Sequence, residues 1–304
     1  MASQAIRESR GDRIFLAVNY VYLLIALVIV AYPVLYMLSA SISSPQAVGS
    51  GEMWLFPKGI TFEGYERVFQ DNRIWSGYAN TILYTVAGTL VSLAVTLPAA
   101  YALARRDFVG RNFFMAMFMV TMFFGGGLVP SYLLVKDLGM INTIWAIILP
   151  GAASIYNIIV TRTFFMSTIP RELEEAAQID GASTTRLFLT VVLPLSMPIV
   201  AVMALFYGVG QWNSYFSALI YLNDETKYPL QIILRQILVL QEMSAQTGGG
   251  MIDASTASAL NNKAEIAALV KYAVIIVATL PVIVIYPFLQ RYFVQGVMIG
   301  SVKG

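Results

Sequence analysis

Residues Phe15–Ile42 read FLAVNYVYLLIALVIVAYPVLYMLSASI, 28 consecutive positions without an Asp, Glu, Lys or Arg. About 20 helical residues cross the ~30 Å hydrocarbon layer of a bilayer. Lipid offers no partners to backbone N–H and C=O groups, so a chain that crosses it is either a helix or part of a closed barrel. The stretch is therefore read as a membrane-spanning helix. It is also well beyond the ~7–15 apolar residues of a signal-peptide core, and is taken as a retained span although Ser39–Ala40–Ser41 slightly resembles a cleavage region.

Five more charge-free stretches follow: Ser76–Ala104, Asn112–Val135, Thr143–Thr161, Leu195–Leu222 and Tyr272–Leu289. The expected fold class is all-α integral membrane with six transmembrane helices. Composition agrees, since 58% of the 304 residues are hydrophobic and only 12% are charged, against ~25% charged in an ordinary soluble domain. The chain has no Cys and no His, which removes disulfides, thiol or imidazole catalysis and Cys/His metal clusters. Its net charge of +2 gives no footprint for nucleic acid.

An even number of spans puts both termini on one side. That side then carries Arg7, Arg10, Arg13, Arg105, Arg106, Arg111, Arg162, Arg171, Arg186, Arg291 and Lys303, 11 of the 19 basic residues. Cytoplasmic loops concentrate Lys and Arg, so both termini are expected in the cytoplasm. Two external loops, about Ser43–Trp75 and Asn223–Lys271, are long enough to hold structure, and Gly248–Gly249–Gly250 reads as a flexible turn. No repeat or linker divides the chain, which is read as a single membrane domain over 1–304.

The internal segment from Ser167 to Pro194 begins like a helix. Thr168 is a candidate cap, Pro170 suits a first turn, and Glu172, Glu174 and Glu175 sit where the helix dipole favours negative charge. Gly181 allows a sharp turn. A second amphipathic segment starts near Ser183, with Leu187, Phe188, Val191 and Val192 on one side. Physics alone leaves two readings: a connector lying on the membrane surface, or a docking knob whose small Ala176, Ala177 and Ala182 let a partner approach.

This segment resembles the cytoplasmic loop of inner-membrane subunits of ATP-binding-cassette importers: Glu–Ala–Ala, three residues, Gly, nine residues, an aliphatic, any residue, Leu–Pro. Glu175, Ala176, Ala177, Gly181, Val191, Leu193 and Pro194 supply the match, with Val191 where the family usually has Ile. The run from Glu172 to Ala182, Gln211–Trp212–Asn213 and the tail Gln290–Gly304 are similar to the carbohydrate-importing branch, typified by the smaller membrane subunit of the maltose transporter. Gly126–Tyr132 resembles the subgroup that handles oligosaccharides or polysaccharide fragments.

The resemblance implies a type I importer transmembrane domain in a bacterial plasma membrane, working beside a homologous but unlike permease subunit. It implies two ATP-binding-cassette ATPase subunits that carry ATP and Mg, and an extracytoplasmic sugar-binding protein that delivers substrate. The loop would sit in a groove on the ATPase through Glu175, Ala176, Ala177, Asp180 and Gly181. The tail would reach between the ATPases, although Val294–Gly304 by itself reads as a frayed end. No cofactor, metal or catalytic residue is expected on this chain: Gly is never followed by Lys, so no phosphate loop is present.

A sugar path needs aromatic faces and neutral hydrogen-bonding groups. Asn80, Tyr84, Tyr132, Tyr156, Asn157, Tyr207, Gln211, Trp212, Asn213 and Tyr215 lie in the spans, and Tyr156, Asn157, Gln211, Trp212 and Asn213 are the chosen candidates. The ordinary role of any one such Tyr is interface anchoring or helix packing. Gly125–Gly126–Gly127 and Pro130 interrupt the third span, either to open carbonyls to a cavity or, the preferred reading, to pack tightly at a kink. The rival function is an ion-coupled secondary transporter, which ordinarily needs an intramembrane Asp, Glu or His, and none of the six spans has one.

Overall fold

The computed structural model describes residues 9–246, 270–285 and 287, and these contain α-helices, a π-helical stretch and a 3₁₀ turn, with no strand. In chain order the helices are α1 (Arg10–Ser41), α2 (Pro45–Gly49), α3 (Glu63–Gln70), α4 (Asn72–Ala104), α5 (Arg111–Phe123), α6 (Leu128–Asp137), α7 (Ile144–Ile148) and α8 (Ile155–Thr168). They continue with α9 (Arg171–Ile179), α10 (Thr184–Leu187), α11 (Leu193–Leu195), α12 (Met197–Trp212), α13 (Tyr215–Tyr221), α14 (Leu230–Gln246) and α15 (Val270–Ile285). Arg7, the turn expected at Gly248–Gly250 and the tail Gln290–Gly304 lie outside the described residues.

The chain clusters into two compact units, one drawn from Met1–Gln70 and Ile237–Val277, the other from Asp71–Gln236 and Ala278–Gly304. In the first, α1 opens with a reciprocal cap: the Ser9 hydroxyl accepts from the Asp12 amide at 3.1 Å and the Asp12 carboxylate accepts from the Ser9 amide at 3.0 Å. Beyond that cap α1 is apolar on every side, and no residue of its most hydrophobic window is buried. A helix of this kind is solvated by lipid or by other helices.

The second unit is built around α4, which packs against α12 and α8. Gly77, Thr81, Tyr84, Gly88, Ser92, Thr96, Ala100 and Leu103 recur every three or four positions and form its buried face. Small residues there let backbones approach closely, as in other membrane helix pairs. A Cβ on Gly88 would stand 2.8 Å from the Gln211 amide group, and one on Gly77 would stand 3.1 Å from the Leu230 Cα. Between α4 and α12 the Thr96 and Tyr207 hydroxyls share a 2.6 Å hydrogen bond.

Helices α1 and α4 are each long and apolar enough to cross a membrane in one run. Three of the other expected spans are interrupted. Residues 112–135 fall into α5 and α6, which meet at 113° across the glycines; 143–161 breaks at Pro150–Gly151 between α7 and α8; and 195–222 breaks at Asn213–Ser214 between α12 and α13. Hydropathy sees only the absence of charge, whereas Pro and Gly cut the helix without altering it. Tight packing does not explain the glycine break within this chain, because a Cβ on Gly125 or Gly126 would meet open space.

The segment after α13 is fastened to α4 by side chains. Asn80 donates to the carbonyls of Thr226 (2.8 Å) and Tyr228 (3.1 Å), Tyr84 donates to that of Lys227 (2.8 Å), and Thr81 accepts from the Leu230 amide (2.8 Å). From the other side Asn142, at φ +61°, accepts from the amides of Asn223 and Asp224.

Candidate functional site

The internal loop forms the expected pair of short helices. Helix α9 ends in a left-handed turn: Gly181 has φ +69° and the Ala182 amide donates to the Ala177 carbonyl at 2.9 Å, the six-to-one bond of a glycine C-cap. Ser183 then caps α10 by accepting from the Arg186 amide at 3.2 Å. Thr168 does not cap α9. It is the last residue of α8, and its hydroxyl has no hydrogen-bond partner.

Amphipathicity sorts the loop's side chains. Ala177 packs inward on a cluster that includes Tyr101, Phe165, Leu187 and Phe188, whereas Glu175, Ala176, Asp180 and Gly181 are exposed. Four of the five residues expected to contact an ATPase thus share an open surface, and the fifth fixes the helix beneath them. Val191 and Leu193 of the same motif pack on the same cluster.

Residues outside the motif support it. The Tyr101 ring, in the last turn of α4, stacks on Phe188 with centroids 5.1 Å apart at 27°, and meets Phe165 edge-on at 6.0 Å. Arg105 completes the support. Its side chain is 10% exposed and pairs in a fork with Asp107, which is 62% exposed, while donating to the Tyr101 hydroxyl at 3.3 Å. That guanidinium holds the Asp107 carboxyl below its ordinary range, and the carboxylate in turn raises Arg105 further. A cavity of about 310 Å³ lies along this seam, bordered by Arg105, Arg106, Glu174 and Glu175. The sequence signal was there as Arg105–Arg106–Asp107 after a span, but nothing in it paired Tyr101 with Phe188.

After α10 the backbone widens into a π-helix, Phe188–Val192, in which the Leu193 amide donates to the Phe188 carbonyl five residues back. Pro194 gives the cause: it has no N–H, and its ring would crowd the carbonyl four residues earlier in a regular helix. The chain then bends by 84° at Ser196 into α12.

The candidate path residues differ in exposure. Asn157, Gln211 and Trp212 are buried, and Trp212 Nε1 donates to the Ala278 carbonyl at 3.2 Å. Tyr156 is exposed, and Asn213 is exposed with its side-chain amide donating to the Val209 carbonyl at 2.9 Å. Several of the other polar residues hold the fold: Asn80 and Tyr84 fasten the segment after α13, Tyr207 bonds Thr96, Tyr132 stacks on Tyr221 at 6.2 Å, and Arg235 lies over the Tyr215 ring. Among the described residues no cluster of acidic side chains is placed to hold a metal ion.

Residues 73–299 match the family described as "Binding-protein-dependent transport system inner membrane component". The chain belongs to that family. It is therefore a multi-pass membrane component of a binding-protein-dependent transport system, and the ion-coupled carrier is set aside. Within the family the chain is 40% identical over 299 residues to Protein LplC of Bacillus subtilis (strain 168), covering 98% of both chains. It is 38% identical over 293 residues to the polygalacturonan/rhamnogalacturonan transport system permease protein YtcP of the same organism, covering 96% of this chain and 99% of that one. Among solved structures, a bacterial ABC transporter involved in the import of the acidic polysaccharide alginate contains a chain that superposes with a TM-score of 0.83 at 37% identity, covering 95% of this chain and all of that one.

Proposed function

We propose that this chain is one membrane subunit of an ATP-driven importer of oligosaccharides or polysaccharide fragments, crossing the membrane six times with both termini in the cytoplasm. The names of the relatives support the substrate class. The observation that carries the coupling role is the glycine-capped loop, with Glu175, Ala176, Asp180 and Gly181 exposed on a short helix whose Ala177 is seated on the aromatic cluster. An element exposed on one side and packed on the other can transmit a push as a rigid body.

In this reading two ATPase subunits hold ATP and Mg and receive the loop. A second, unlike permease subunit completes the path, and an external binding protein delivers sugar. Tyr156, Asn157, Gln211, Trp212 and Asn213 are proposed to border the path, where neutral hydrogen-bonding groups and aromatic faces suit sugars. The chain performs no covalent step.

The test is co-purification with candidate ATPase subunits, followed by hydrolysis stimulated by the binding protein and a panel of neutral and uronate-containing oligosaccharides. Stimulated hydrolysis that Gly181→Asp abolishes, with the variant still folded and inserted, is the expected result. Transport by the purified chain alone in liposomes would overturn it.

A further inference from the structure

Two arginines follow the last turn of α4, and their side chains go different ways. Arg106 is exposed and makes no ion pair among the described residues, as a charge at the end of a span does when it reaches into water or headgroups. Arg105 is turned back. Its amide closes α4 by donating to the Tyr101 carbonyl at 3.2 Å. Its guanidinium lies over the Tyr101 ring, 5.8 Å from the centroid, and Nη1 donates to the Tyr101 hydroxyl at 3.3 Å. Among the described residues that is the hydroxyl's one hydrogen bond. Nε and Nη2 both donate to the Asp107 carboxylate.

A fork to a carboxylate that is 62% exposed adds little stability, because water screens it. What two parallel bonds supply is orientation: they hold the plane of the guanidinium and aim Nη1 at Tyr101. The ring needs such a hold. In a close-packed interior neighbours fix a side chain from every side. Tyr101 instead stands between two cavities, one of about 310 Å³ bordered also by Phe165 and Glu174, the other of about 560 Å³ bordered also by Phe188, Thr184 and Leu189. Space on both flanks leaves the ring room to tilt on its contacts with Phe188 and Phe165, and the bond at its hydroxyl removes that freedom. Phe188 continues directly from α10, and α9 is seated on the same cluster through Ala177. The stance of the loop against α4 is thus set through a chain of contacts from Arg105 to Tyr101 to Phe188.

We propose that Arg105 is a positioning residue for transport: by pinning the Tyr101 hydroxyl it holds the ring against Phe188 and fixes how α9 and α10 stand against α4. Its consequence for transport rests on the coupling role proposed above for this loop, whereas the pinning itself is a property of this chain. Asp107 serves the same end by holding the guanidinium in its plane.

The test uses the full-length chain with its accompanying subunits in vesicles, and the labelled oligosaccharide that stimulates hydrolysis most in the panel above. Tyr101→Phe keeps the ring and removes the hydroxyl, and Arg105→Lys keeps the charge and loses the fork. Each is expected to lower uptake per ATP hydrolysed by about threefold to tenfold, with the double variant no lower than the worse single one. Losses that multiply in the double variant would mean that Arg105 does not act through Tyr101. Uptake and hydrolysis that fall together, at an unchanged ratio, would reduce Arg105 to a structural role. Either result overturns the proposal. The chain has no cysteine, so a nitroxide on Thr185→Cys in α10, with the other subunits made cysteine-free, reads the pinning without any transport assay. Its spectrum should become more mobile in both variants, and an unchanged spectrum in both overturns the pinning. Failure of the wild-type chain to associate with an ATPase would instead remove the coupling role and leave the nitroxide result to decide whether Arg105 holds the loop.

Discussion

The Tyr101 ring at the end of α4 lies stacked on Phe188 at the start of the π-helix, centroid to centroid 5.1 Å. One residue belongs to the longest helix of the second unit and the other to the loop that carries the importer motif. In the coupling role proposed above, force applied to α9 and α10 would reach α4 through this ring pair and through Phe165 beside it.

Phe188→Ala is accordingly expected to uncouple as well as destabilise. Loss of a buried Phe costs about 3 kcal/mol in soluble cores, and less where lipid can refill the space. Stimulated ATP hydrolysis should survive while sugar uptake falls, and Phe188→Leu should recover most of the uptake. Parallel assays of hydrolysis and uptake in the same vesicles check this.

Gly181 has open space around its Cβ position within this chain, so apart from the proposed ATPase contact, which an added charge would disturb, an uncharged substitution there is opposed by backbone conformation. A left-handed φ costs an L-residue about 1–2 kcal/mol, and Asn bears it better than a β-branched side chain. The order of stimulated activity should run Gly, Asn, Ala, Val. Equal activity for Asn and Val would remove the conformational explanation.

Gly88 and Gln211 make a coupled pair. Gly88→Ala drives a methyl into the Gln211 side chain at 2.8 Å, an overpacking worth about 1–3 kcal/mol. Shortening the partner relieves it, so Gly88→Ala with Gln211→Ala should be more stable than the sum of the single variants predicts. Thermal unfolding in detergent, carried through the full double-mutant cycle, measures the interaction.

Asn142 combines a positive φ with two accepted amide hydrogen bonds. Asn142→Gly loses the bonds and keeps the conformation, whereas Asn142→Ala loses both, so Ala should be worse by about 1 kcal/mol. Proteolysis within residues 223–229, compared between the two variants, reports the difference.

The Arg105–Asp107 fork predicts a response to acid. Because the Asp107 carboxyl is depressed in the folded chain, its contribution is fully present above the ordinary carboxylate range and is lost as pH falls through the folded value. Asp107 is mostly exposed, so solvent screening limits the effect to about 0.5 kcal/mol. Asp107→Asn should lower stability slightly near neutrality and flatten the acid limb of the melting temperature below about pH 4.

Charge-free runs made the class legible in the sequence, and the loop motif made the family legible, because each depends on residues near one another in the chain. The same reasoning treated 143–161 and 195–222 as unbroken, since Pro150–Gly151 and Asn213–Ser214 interrupt a helix without adding charge. It also read Asn80 and Tyr84 as path candidates. Their hydrogen-bond partners are carbonyls some 145 positions away, a pairing that composition and spacing do not encode. Ala177 and Glu175 differ for a simpler reason: a nine-residue helix has an inner and an outer side, and only the structure shows which side meets the cluster.

The π-helix at Phe188–Val192 fits one more residue into a turn than the helices flanking it. Leu193–Leu195 are thereby rotated by about 100° relative to an unbroken α-helix before the chain bends at Ser196. On the near side of that bend Val191 and Leu193 pack on the same cluster as Leu187. A relative lacking one residue between Arg186 and Pro194 would turn Leu193 away from the cluster that seats α9, so insertions and deletions should be rare in this stretch.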